Sequence, residues 1–413
     1  MTTAARPGAW AFGLALVVAA LNLRPAITSL SPLMPELRAT YGLTELTTVL
    51  VIALPVLVLG LGSVLAPVVA ARLGARRTVT VGLLAVAAGI GVRSVVRGAV
   101  FPGTVLAALG ITLVAVMLPA VVRDRGAASA GAWTAVYGVA MAVGASAAPT
   151  VTGLLDDRGV PVLVSTGGWA AVALVSAVAW HLLAGGRSPV PAAGSVPRPA
   201  HTRVTPAGAP WLLAALFGVQ ALLFFAIVTW LPRFARDSGL SVGQAGGLLG
   251  LFSVVGCVGS LLVPLFVARL RAPFVLLMAL SAGSLAGFGA LAAGWPPVVG
   301  TVLLGLGQAG VFPLVITLFV SRAADSAVAA TLSARSQSVG FTGAAIGLVA
   351  LAVLHQAQPS WPAFWLLLTA LVVVQVLIGS RAAVRDLVRP SGSPPSAASL
   401  RTPQVALTQG ELR

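Results

Sequence analysis

Long apolar blocks run along this chain, separated at intervals by clusters of Arg, Pro and Gly. A helix rises about 1.5 Å per residue, so about 20 apolar residues cross a hydrocarbon layer about 30 Å thick. By that measure the blocks predict twelve spans, at residues 9–34, 47–70, 78–96, 101–122, 129–153, 163–184, 210–232, 242–268, 273–293, 297–320, 331–354 and 361–380. Lipid offers no partner to an open backbone N–H or C=O, and blocks of this length suit helices, not barrel strands. The expected fold class is therefore an all-α integral membrane protein. Composition agrees: 58% hydrophobic and 8% charged residues over 413, with a mean hydropathy of +1.02, exclude an ordinary soluble domain.

Charge sets the expected orientation. All 25 basic residues are Arg. An even span count places both termini on one face, and 17 Arg fall on that face, including Arg72, Arg76, Arg77 and Arg123, against five (Arg38, Arg97, Arg158, Arg233, Arg236) in the opposite loops. Basic residues stay cytoplasmic, so both termini are expected in the cytoplasm. The net charge of +16 then reflects insertion and implies no nucleic-acid partner; the expected partners are the lipid bilayer and a small solute. The Lys-free, Ala-rich and Gly-rich usage looks like that of a GC-rich bacterial genome, which points to a bacterial cytoplasmic membrane.

The chain repeats itself. Shifted by 197 residues, 35–73 superimposes on 232–270 without a gap and with 12 of 39 positions identical. The densest match sets Gly62-Ser63-Val64-Leu65-Ala66-Pro67 against Gly259-Ser260-Leu261-Leu262-Val263-Pro264, and Ala71-Arg72-Leu73 against Ala268-Arg269-Leu270. Two parallel six-span halves follow: a bundle at 1–184, a Pro/Gly/Ala-rich cytoplasmic linker at 185–209, a second bundle at 210–381 and a disordered cytoplasmic tail at 382–413. A cleaved signal peptide, the rival reading of residues 1–25, would remove a span the repeat needs. Such a repeat resembles the major facilitator superfamily, whose halves rock around a midplane site. Glycines four apart (Gly246 and Gly250, Gly283 and Gly287, Gly343 and Gly347) are expected chiefly to let helices pack closely.

Candidate chemistry centres on Arg24. It lies roughly 22 Å along a helix begun at Ala9, too deep for easy snorkelling, and Pro25 beside it removes a backbone hydrogen bond. A guanidinium at that depth costs at least ~2.5 kcal/mol on insertion scales and must face a cavity or a partner. Its fork of donors suits a planar or linear anion better than a Lys would. Gln220 and Gln308 can serve a ligand or glue helices together; Asn22, Tyr137, Gln337 and Ser338 are further candidates. Trp230 could shape a cavity or anchor at the interface, and Arg335 is a candidate inner gate. Arg93, near the end of the third span, is expected to snorkel.

The carboxylates Glu36, Glu45, Asp124, Asp156, Asp157, Asp237, Asp325, Asp386 and Glu411 all fall in loops, span ends or the tail. Their placement disfavours a cationic substrate and a buried carboxylate relay, and favours a small anion or neutral polar solute. Single Cys257 excludes a disulfide within the chain, and His181, His201 and His355 sit at span ends or in the linker, so neither a metal nor a cofactor is expected.

The loop after the second span resembles the superfamily signature in Arg72-Leu73-Gly74 and Arg76-Arg77. It departs where Ala71 takes the aspartate position, Pro67 the first glycine and Ala75 an arginine, leaving Asp124 as a substitute acid. Asn22-Leu23-Arg24-Pro25 with Pro32-Leu33, Leu118-Pro119 with Arg123, Phe217-Gly218-Val219-Gln220, Trp230-Leu231-Pro232, Leu304 to Gln308, Phe312-Pro313-Leu314, and Leu332-Ser333 with Gln337 to Gly340 resemble the cyanate and 2-nitroimidazole transporter (CynX/NimT) family. Phe225 and Phe341 stand where that family leads one to expect tyrosine, and Leu348 where it leads one to expect proline.

The resemblance implies a secondary transporter, functional as a monomer, moving a small anion or polar organic solute by alternating access. Export of toxic compounds is the alternative. A membrane enzyme is a distant one, since the chain lacks His-Glu-x-x-His, a buried aspartate pair and a phosphate-cradling loop with Lys.

Overall fold

Twelve helices among the described residues are long and apolar enough to cross a membrane. The structure is a computed structural model that describes residues 8–63, 65–123, 127–184, 209–270, 273–321 and 326–384. The first span comprises α1 (Ala9–Leu21), α2 (Pro25–Thr28), a 3-10 turn at Ser31–Leu33 and α3 (Met34–Tyr41). The second is α4 (Glu45–Gly62), followed by α5 (Leu65–Leu73). Next come α6 (Ala75–Val95), α7 (Val100–Arg123), α8 (Ala127–Asp157), and α9 (Val162–Gly167) with α10 (Trp169–Leu183). The second half is α11 (Ala209–Asp237), α12 (Val242–Leu270), α13 (Pro273–Ala292), α14 (Pro297–Ser321), α15 (Ser326–Ala357) and α16 (Trp361–Val384).

Each half has its own apolar core. Phe12, Leu16, Ile52, Leu83, Ile90 and Trp180 fill the first; Phe217, Phe252, Phe288, Phe319 and Trp365 fill the second. Residues such as Val175, Leu182, Ile346 and Leu366 stay exposed, as a lipid-facing surface requires. The halves meet where α8 packs on α12 and α4 on α15. Gly246 and Gly250 of α12 make the first seam close, since a Cβ at Gly246 would collide with the Pro149 carbonyl and one at Gly250 would lie 2.5 Å from the Thr150 hydroxyl oxygen. Gly283, Gly287 and Gly347 also pack closely, but Gly343 faces nothing within 4 Å.

Three span ends differ most from the sequence expectation: the second, expected to reach residue 70, ends at Gly62, and a separate α5 follows from Leu65. The first span runs on past residue 34 to Tyr41, because its prolines break the helix without ending the crossing. The seventh continues through Pro232 to Asp237. A proline there forfeits a single N–H bond, and the extra turn is held by ion pairs of Arg233 and Arg236.

Candidate functional site

The break in the first span positions Arg24. Pro25 has no N–H to donate to the Leu21 carbonyl, so α1 stops at Leu21 and a short turn leads to Arg24, whose φ of −120° caps α2. The Arg24 carbonyl accepts from the Ile27 and Thr28 amides at 3.0 Å and from the Thr28 hydroxyl at 3.2 Å. On α8, Gly144 fits against the orphaned Leu21 carbonyl, where any Cβ would collide.

The Arg24 side chain reaches the other half. Its guanidinium carbon lies 5.1 Å from the centroid of the Phe224 ring on α11. Among the described residues that guanidinium has no ion pair and no hydrogen bond, and the side chain is partly exposed. Behind Phe224 stands an aromatic wall: Phe225 at 5.4 Å and Phe252 at 5.6 Å between centroids, then Phe341, which is edge-on to Phe217 at 4.9 Å. Phe225 lies 6.4 Å from Phe341, so both positions that lack an expected hydroxyl belong to this wall.

The other candidates lie apart from the guanidinium. Asn22 donates its amide to the Val18 carbonyl and the Ser176 hydroxyl, both at 2.8 Å, tying α1 to α10. Gln308 is buried in the second half, where its amide donates to the Gln220 carbonyl at 3.2 Å and to Gln375 Oε1 at 3.3 Å, while Ser284 donates to its Oε1 at 3.3 Å. Gln220 is one turn from Phe224 on α11 and 1% exposed, with Oε1 unpartnered. Tyr137 is half-buried against the first-half core. Gln337 donates to the Ser333 hydroxyl at 2.7 Å, and the Ser338 carbonyl packs on Gly60. Trp230 is buried, its ring 5.2 Å from Phe364, which places it in the second-half core and not at the membrane interface.

Arg72 and Arg77 are exposed beside α5 and α6, and the Arg76 carbonyl accepts from the Trp180 indole at 3.0 Å. Arg335 is exposed on α15, while Asp124 lies outside the described residues. Arg93 does not snorkel: it is 2% exposed, because α7 packs onto its stem at Gly103 and Tyr41 donates to its backbone carbonyl at 2.5 Å.

On the face opposite Gly8 and Val384, the outermost described residues, the halves are latched. Arg236 grips Glu36 through two parallel bonds of 2.7 and 2.8 Å and also donates to the Pro32 carbonyl at 3.2 Å. Arg233 pairs with Glu45, which Arg38 approaches at 3.7 Å. Asp157 accepts from the Ser241 hydroxyl at 2.7 Å and the Gly243 amide at 3.0 Å, capping α12 from the first half. Sequence reasoning left these residues as loop charges. Their signal lay in the repeat, where acidic Glu36 takes the place that Arg233 holds in the second half.

Two six-helix halves, latched at one face and presenting an unpaired cation to an aromatic wall between them, define a helical membrane protein of transporter type. The major facilitator superfamily model matches residues 11–348, and the chain belongs to that superfamily as a transporter. It resembles members of the cyanate and 2-nitroimidazole transporter group. The 2-nitroimidazole transporter of Escherichia coli (strain K12) is 33% identical over 360 residues, covering 84% of this chain and 88% of that protein. The cyanate transport protein CynX of the same strain is 28% identical over 371 residues, covering 88% and 95%. In fold, the chain is similar to a D-xylose–proton symporter at a TM-score of 0.72 and 13% identity, covering 92% of this chain and 98% of that one. It is also similar to the nucleoside transporter NupG at a TM-score of 0.71 and 14% identity, covering 91% and 100%.

Proposed function

We propose that this transporter moves a small planar or linear anion, or a small nitroheterocycle, by alternating access, and that Arg24 is the anchor. The observation that carries the proposal is the Arg24 guanidinium, which lacks an acidic partner among the described residues and lies 5.1 Å from the Phe224 ring of the other half. A ligand seated there supplies the missing charge or acceptors to the fork, while the guanidinium keeps its cation–π contact with Phe224, worth about 0.5–2 kcal/mol. Cyanate-like and nitroimidazole-like solutes fit that chemistry, and the names of the two relatives from Escherichia coli support it.

In this reading the bundles at 1–184 and 210–381 rock about the site as a monomer in a bacterial cytoplasmic membrane, with both termini and the 185–209 linker in the cytoplasm. The latched face is then the outer one, closed in this structure. The hydroxyl-free wall of Phe225 and Phe341 favours a less polar solute such as a nitroheterocycle, and export of toxic compounds is the alternative reading. Proteoliposomes test both. Uptake and efflux are measured against cyanate, nitrate, small carboxylates and nitroimidazoles. Saturable transport of a planar anion or nitroimidazole, lost in Arg24→Ala, is the expected result; transport confined to bulky cations contradicts the proposal.

A further inference from the structure

The most heavily buried charge in the first half is used by none of the chemistry above. Arg93 is 2% exposed, and its Nε, Nη1 and Nη2 all lack a hydrogen-bond partner. It lines a small pocket under the latched face together with Tyr41 of α3, Thr48 of α4, Thr166 of α9 and apolar side chains such as Leu37 and Val51. No carboxylate lines this pocket. The hydroxyls are committed elsewhere: Tyr41 donates to the Arg93 carbonyl at 2.5 Å, Thr48 to the Thr44 carbonyl at 2.7 Å and Thr166 to the Val162 carbonyl at 2.7 Å. Glu36 and Glu45, the acids carried by the neighbouring α3 and α4, are held by Arg236 and Arg233. A buried guanidinium without counter-charge or acceptor is the costliest kind of polar group to leave unmatched.

We infer that this pocket is a binding site for one small monovalent inorganic anion of halide size, distinct from the Arg24 site. Size and charge both select the ligand. The free space holds about one water-sized body, which excludes phosphate and organic anions. The guanidinium supplies five N–H donors, and the apolar walls strengthen the pairing by excluding water. Because α3 and α4 line the pocket and also carry Glu36 and Glu45, an anion held there favours the closed arrangement of the latch. Transport is thereby tuned by the halide concentration on that face.

The test uses purified full-length protein in sodium gluconate, with chloride or bromide replacing gluconate at constant ionic strength. Thermal unfolding is followed for the wild type, Arg93→Met and Arg24→Lys. The wild type and Arg24→Lys are expected to gain roughly 1–2 °C at ten times the dissociation constant, rising further with the logarithm of halide concentration, while Arg93→Met gains nothing. An equal rise in Arg93→Met, or none in the wild type, overturns the site. Should Arg93→Met fail to fold, anomalous scattering from bromide bound to the wild type decides. A peak within about 4 Å of the guanidinium supports the site, and its absence at saturating bromide overturns it.

Discussion

Arg24 of the first half sets its guanidinium 5.1 Å from the ring centre of Phe224 in the second, so one cation–aromatic contact bridges the two halves. The contact exists because Pro25 halts α1 and turns the side chain of the capping residue out of the helix. On the proposed reading, binding and conformation are linked at one side chain.

The latch gives the first prediction. Arg236 and Glu36 are partly exposed, so their paired bonds are worth about 0.5–1 kcal/mol, roughly a two- to fivefold shift in the equilibrium between closed and open. Spin labels at Ala39→Cys and Gln358→Cys, in a Cys257→Ala background, report the separation of the halves at that face. Glu36→Gln should add a longer-distance population, and the exchanged pair Glu36→Arg with Arg236→Glu should reduce it again. An unchanged distance distribution in Glu36→Gln removes the latch role.

Packing around the helix break gives the second. A Cβ at Gly144 meets the Leu21 carbonyl, whereas Gly138 on the same helix faces nothing within 4 Å. Gly144→Val should cost about 1–3 kcal/mol through overpacking, seen as a fall of roughly 1–4 °C in the unfolding midpoint, while Gly138→Ala should cost little. Equal midpoints for the two variants would show that α8 does not support the break.

Hydropathy made the span count and the two halves legible, because a helix alone in lipid must carry its own apolar length. Arg24 was legible for the same reason, being a charge where none is affordable without a role. Glu36–Arg236 and Glu45–Arg233 were not, because they join positions about 190–200 residues apart whose charges are unremarkable at span ends. Gln375, which accepts from Gln308, was missed as a lone amide in an apolar run. Arg93 was misjudged because depth along a span says nothing of whether Gly103 and Tyr41 close over it.

Orientation gives the third prediction. The 17-to-5 Arg asymmetry predicts a cytoplasmic 185–209 linker. In a Cys257→Ala background, Ser195→Cys should resist membrane-impermeant thiol reagents added to intact cells and react after permeabilisation. Ready labelling in intact cells reverses the orientation, and with it the outer assignment of the latch.

The most direct test of the central claim is calorimetric binding to wild type, Arg24→Lys and Arg24→Ala of matched thermal stability, using cyanate or 2-nitroimidazole, whichever the proteoliposomes transport. Arg24→Lys keeps the charge and loses the fork. If Arg24 holds the ligand through charged hydrogen bonds, both variants lose about 1.5–3 kcal/mol, roughly ten- to hundredfold in affinity. Binding by Arg24→Lys as tight as that of the wild type contradicts the account and leaves Arg24 a structural residue of the helix break.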